Sequence, residues 1–175
     1  MEQKVKVSGG TALTEEMIQS GKVFLTADSL DCAYAWDTGV AISRYLAELK
    51  KGKIIGKECR ACKRVMIPPR MFCELCFRPS GNWVYLQDSG VVNTYSICYV
   101  NWDASRIKEG EKPYLPAVIE IDGAAEGMGI MHLLGEVEPE QIKIGMRVKA
   151  VWKPDSERTG SITDIKYFKP LSKEG

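Results

Sequence analysis

A single histidine, His132, stands among 175 residues, and it sits in the apolar setting GIMHLLG. That context reads as a strand residue with its hydrogen bonds satisfied, not as a general base. No nucleophile elbow, phosphate loop or paired-carboxylate arrangement is visible either, so the chain is expected not to catalyse a reaction alone. Apolar runs are short as well. None approaches the roughly 20 residues of a membrane span. The start, MEQKVKVSGGTALTEEM, lacks the charged-then-apolar pattern of a secretory leader. An intracellular, cytoplasmic setting is therefore expected, where paired cysteines bind metal more often than each other.

Net charge is also scarce, at +1, but its distribution is uneven. Residues 50–78 carry nine Lys/Arg against Glu58 and Glu74, a local excess of +7, whereas 1–49 and 79–175 each come to −3. A basic island between acidic flanks predicts an anionic partner for the island, unless it is simply a solvated surface.

What is present begins with two candidate helices. TEEMIQSGKVFL offers Thr14 as a cap, acidic residues in the first turn and Gly21 as a stop. DTGVAISRYLAELKKGK offers Asp37 or Thr38 as a cap and Gly52 as a terminator. Its Ile42, Tyr45, Leu46 and Leu49 recur at helical spacing, as a packing stripe. After Gly81 the period becomes two. Strands are expected over GVVNTYSICYVNW from Gly90, YLPAVIEID (114–122), GMGIMHLLGEV (127–137), MRVKAVWK (146–153) and SITDIKYF (161–168). EPEQIKIG between the third and fourth reads as a helical turn or loop. Five such strands suggest an OB-type barrel, since an immunoglobulin-like sandwich would want about seven.

Four of the six cysteines lie in KECRACKRVMIPPRMFCELCF as two C-x2-C pairs, Cys59/Cys62 and Cys73/Cys76. Two knuckles separated by a hairpin-sized stretch predict a zinc ribbon with one Zn2+ on four thiolates. A rubredoxin-type iron centre fits the same ligands. A dithiol redox site would need only one pair. Closed four-thiolate coordination leaves no position for substrate, so the metal is expected to be structural. Cys32 and Cys98 read as small buried hydrophobes.

A helix, a basic zinc ribbon and an OB-like barrel in that order resemble a specific family. RYLAELKKGKIIGKECRACKRVMIPPRMFCELC (44–76), DSGVVNTYSICYV (88–100), KPYLPAVIEIDG (112–123) and IGMRVKAVW (144–152) carry the likeness. It is to the zinc-ribbon/OB-fold proteins that accompany thiolases and thiolase-like enzymes. One departure is Lys63 directly after the second cysteine, where the family has glycine, which leaves the turn of that knuckle open.

The resemblance implies a non-catalytic subunit that binds a thiolase-type partner in a hetero-oligomer and helps form a site for coenzyme A or an acyl-CoA. FLTADSLDCAYAWDTG looks like the N-terminal part of bacterial members working on bulky CoA esters. The expected fold is mainly β with N-terminal helices: a helical segment over 1–53, a rubredoxin-like zinc ribbon over 54–80, an OB-fold barrel over 81–170 and a tail over 171–175. Coenzyme A carries phosphates that want cationic donors. Lys63, Arg64 and Arg70 are the candidates, with Phe72 and Phe77 nearby to face adenine. Nucleic-acid binding competes, because ribbons and barrels both serve it. It is disfavoured by the acidic barrel half and by strands without clustered aromatics and basic neighbours. A purely structural adaptor of an enzyme oligomer is the third reading.

Overall fold

A computed structural model describes residues 14–23, 35–101, 103–108 and 110–171. The chain forms two compact units, 1–36 and 37–175. In the first, α1 (Glu15–Gln19) starts where the hydroxyl of Thr14 accepts the Met17 N–H, as its sequence predicts.

The second unit opens with α2 (Gly39–Lys50), whose Ala41, Tyr45, Glu48 and Leu49 are buried. The observed stripe shares Tyr45 and Leu49 with the one expected from spacing. Gly52 ends the helix at φ +69°, and its N–H donates to Leu49 O at 2.8 Å while that of Lys53 donates to Glu48 O. That left-handed turn is why a glycine stands there. The chain then forms β1 (Ile54–Cys59), the short β2 (Val65–Met66) and β3 (Ser80–Leu86), an antiparallel sheet in the order β2-β1-β3.

A second sheet holds the five strands expected from the alternating pattern: β4 (Ser89–Tyr95), β5 (Pro116–Ile121), β6 (Gly129–Leu133), β7 (Arg147–Trp152) and β8 (Ile165–Pro170). Their order is β6-β5-β4-β7-β8. A parallel bridge from Leu134 to Phe168 brings the two outer strands together, so the sheet curls on itself as an OB-type barrel does. Register shifts after Val92 and after Val151 supply bends. The first strand is shorter than its alternation suggested. It ends at Tyr95, and Cys98 and Val100 make only isolated bridges. A 3-10 turn at Pro139–Gln141 occupies the expected insertion. Gly90 lets β4 close on β5, because a Cβ there would lie 2.0 Å from Glu120 O.

Tyr45, Leu49, Ile54, Ile55 and Met66 join Val92, Ile119, Val148 and Phe168 in one buried cluster. Ribbon and barrel are therefore continuous through their cores, and Ala125 N–H also donates to Val65 O at 2.9 Å.

Candidate metal centre

Both knuckles use one turn. At the first, Lys63 N–H donates to Cys59 O at 3.1 Å and Cys59 N–H to Arg64 O at 2.8 Å. At the second, Phe77 N–H donates to Cys73 O at 2.9 Å and Cys73 N–H to Arg78 O at 3.0 Å. Lys63 and Phe77 both take the left-handed conformation, at φ +63° and +50°. The missing glycine thus changes no turn. Lysine and phenylalanine occupy the glycine conformation, which costs an L-residue about 1–2 kcal/mol.

The turns bring the Sγ atoms of Cys59, Cys62, Cys73 and Cys76 within 4.8 Å of one another. Four sulfurs at ~2.3 Å from a tetrahedral zinc would stand about 3.8 Å apart. Cys62 and Cys73 Sγ are 3.8 Å apart. Cys59 and Cys73 are buried, and the set holds sulfur alone, so the residues fit a structural Zn2+. Backbone N–H groups, led by that of Cys62, bring the Cys59 thiol down to about 7. The Cys76 thiol is pushed up to about 12, chiefly by the neighbouring Cys62 sulfur. Crowded thiols at one point resist joint ionisation, and a divalent cation removes that conflict.

The basic side chains expected to meet phosphate already have partners. Lys63 Nζ lies 3.1 Å from Glu58 Oε1. Arg64 Nε is 3.2 Å from one Glu74 oxygen and Arg70 Nη1 3.4 Å from the other, while Arg64 Nη2 donates to Glu126 O at 3.2 Å. The Arg64–Glu74 contact is not an aligned hydrogen bond, so both buried atoms rely on charge alone. Phe72, Leu75 and Phe77 are exposed at 61%, 64% and 82%. Beside them Arg60 and Arg78 line a shallow groove of about 290 Å3 with Ala61 and Pro79.

His132 is half-buried on β6. Its Nδ1 accepts the Leu133 N–H at 2.9 Å, which leaves Nε2 to donate to Ile162 O at 3.2 Å. Cys98 Sγ donates to Val100 O at 3.3 Å. Cys32 lies outside the described residues. Spacing alone does not reveal a further group, Arg44 and Lys57 against the Trp83 ring, because only the β1–β3 register sets Lys57 opposite Trp83.

Comparisons with known proteins agree with this architecture. Residues 46–80 match the family model for the ChsH2 rubredoxin-like zinc ribbon domain, and 83–153 match the model for the ChsH2 C-terminal OB-fold domain. A DUF35 domain-containing scaffold protein of Methanocaldococcus jannaschii is 35% identical over 67% of this chain and 82% of its own length. Its namesake in Pyrococcus furiosus is 30% identical over 75% and 94%. A probable enoyl-CoA hydratase alpha subunit of Thermomonospora curvata is 30% identical over 63% of this chain, which spans only 33% of that larger protein. Among solved structures, a DUF35 protein of Sulfolobus solfataricus superposes with a TM-score of 0.59 at 26% identity, over 77% of this chain and 87% of that one. The Ltp2-ChsH2(DUF35) aldolase shares the fold at 22% identity and a TM-score of 0.55, over 79% and 98%. With a four-cysteine ribbon leading into a five-stranded barrel, the chain belongs to the DUF35 family, whose curated relatives include scaffold proteins.

Proposed function

We propose that this protein is a non-catalytic subunit of a thiolase-type acyltransferase complex, and that the outer face of its second knuckle docks the catalytic subunit. One observation carries the reading. Phe72, Leu75 and Phe77 project apolar surface from the segment whose four cysteines converge on one point. Such a patch rimmed by charge is the anatomy of a protein interface. Arg60 and Arg78 beside it have no carboxylate partner among the described residues, so the complementary surface would be an apolar pocket with an acidic rim. The scaffold naming of relatives supports the partner role, and the enoyl-CoA hydratase subunit among them supports CoA thioester chemistry.

The finer reading is the small subunit of benzoylsuccinyl-CoA thiolase of anaerobic toluene degradation, with coenzyme A as a shared ligand. The reaction would be CoA-dependent cleavage of a β-keto thioester, with the nucleophilic cysteine on the partner. Lys63 and Arg70, the more exposed of the three predicted cations, are the ones able to leave their carboxylates for a phosphate at little cost.

The test is co-purification with a thiolase-like protein encoded beside it, followed by thioester-cleavage assays. Phe77→Asp is expected to lower association at least roughly tenfold while zinc content stays at one per chain. Unchanged association, or cleavage of a β-keto acyl-CoA by the isolated chain, would falsify the reading.

A further inference from the structure

The fold buries one ribbon lysine without a counter-charge. Lys57 is only 6% exposed. Its Nζ lies 3.6 Å from Met71 Sδ and 4.9 Å from the centre of the Trp83 ring. Among the described residues no carboxylate pairs with it. A thioether is a weak acceptor, and a buried ammonium without a counter-ion is unfavourable. Arg44, from the exposed side of α2, sets its guanidinium carbon 4.6 Å from the centre of the same ring, again with no carboxylate partner among the described residues. Two cations without a carboxylate partner among the described residues therefore lie against one indole. By contrast, Lys63, Arg64 and Arg70 already sit on Glu58 and Glu74.

We propose that Lys57, Arg44 and Trp83 form a binding site for a phosphate monoester, with Met71 as its movable cover. Two unpaired positive charges match a phosphate monoester, which carries about −1.5 to −2 at neutral pH, better than the single charge of a carboxylate. Arg44 brings several N–H donors and Lys57 a compact charge, the complementary pair for phosphate oxygens. Met71 is 43% exposed and unbranched, so it can swing away from the ammonium without disturbing the knuckle backbone. The site deepens the coenzyme A reading by naming where a phosphate sits, but it does not depend on partner docking.

The probe is adenosine 3',5'-bisphosphate, titrated calorimetrically into the full-length, zinc-loaded chain, with succinate as the carboxylate control. Lys57→Met is expected to weaken bisphosphate binding roughly 10- to 100-fold, the worth of one charge-assisted hydrogen bond. Arg44→Gln is expected to weaken it several-fold, and Lys112→Gln, at a barrel lysine paired with Glu138, to leave it unchanged. Succinate is expected to bind much more weakly than the bisphosphate. Wild-type affinity in Lys57→Met, no binding by the wild type, or equal binding of succinate would each overturn the site. If Lys57→Met does not fold, the exposed Arg44→Gln decides, and unchanged affinity there overturns the proposal. Coenzyme A bound equally by wild type and Lys57→Met would overturn the site while leaving the subunit reading intact. Bisphosphate bound through Lys57 without any partner association would support the site and count against the subunit reading.

Discussion

The Tyr45 hydroxyl is buried with no hydrogen-bond partner among the described residues, and burial drives its pKa upward. An unsatisfied buried hydroxyl is a liability that an apolar isostere removes. Tyr45→Phe is therefore expected to leave stability unchanged or raise it by about 1 kcal/mol. A denaturant midpoint lower than wild type would mean the hydroxyl has a role the fold does not display. At the ribbon, Cys73→Ser is expected to abolish tight zinc binding, because three thiolates and a poor fourth ligand forfeit much of the binding free energy that orders the segment. Metal analysis with X-ray absorption would check this, and a wild-type four-sulfur shell at ~2.3 Å in the variant would refute it. At this scale the sequence showed the four-cysteine cluster plainly, since cysteines at fixed spacing admit few geometries. It hid the carboxylates that hold Lys63, Arg64 and Arg70, because Glu58 meets Lys63 only once the first knuckle turns, and Glu74 meets Arg64 only once the two knuckles come together.

At the scale of elements, the turn into β8 rests on Asp164. This carboxylate is fully buried and accepts N–H groups from Thr159, Gly160 and Ser161 at 2.9, 2.8 and 3.1 Å. Burial alone would raise its pKa, but the three donors together hold it below the ordinary aspartate value. Asp122 is lowered too, first by its hydrogen bonds from Arg147. A carboxylate depressed in the folded state contributes stability that is complete above its unfolded pKa of about 4, and that stability is lost as pH falls through the lower folded value. Thermal midpoints are thus expected to be level from about pH 5 to 7 and to drop below about pH 4. Asp164→Asn is expected to cost about 1–3 kcal/mol at neutral pH, since an amide N–H2 would face backbone donors. A midpoint that rises on acidification would contradict the assignment. All five barrel strands were legible from alternation, but β4 was overrun past Tyr95, where bulge and bridge geometry leaves no mark on hydrophobic period, and the last strand starts only at Ile165 because Ile162–Asp164 is a 3-10 turn.

For the molecule as a whole, the ribbon sheet and the barrel share one apolar cluster, and among the described residues the cysteine cluster that fits a metal lies in the ribbon. Chelation is expected to release amide protection first over residues 57–79, while β4, β5 and β7 stay protected. Hydrogen exchange read by mass spectrometry checks this, and simultaneous loss of protection in β4–β8 would show that barrel and ribbon unfold as one. The order of modules was readable from cysteine spacing followed by period-two strands. How β3 joins the ribbon was not, because its pairing with β1 spans about twenty intervening residues that local pattern does not bridge.

On the proposed docking role of Phe77, the left-handed residue at the second knuckle tip sets stability against use. Glycine at 63 and 77 would relieve backbone strain worth about 1–2 kcal/mol at each position. A library of variants selected for heat resistance alone would drift toward that pair of glycines. The survivors would be tougher proteins with a bare knuckle, stripped of the Phe77 ring that stands 82% exposed. Assays of thermal tolerance and of complex formation, run on the same library, should therefore score Phe77→Gly in opposite directions.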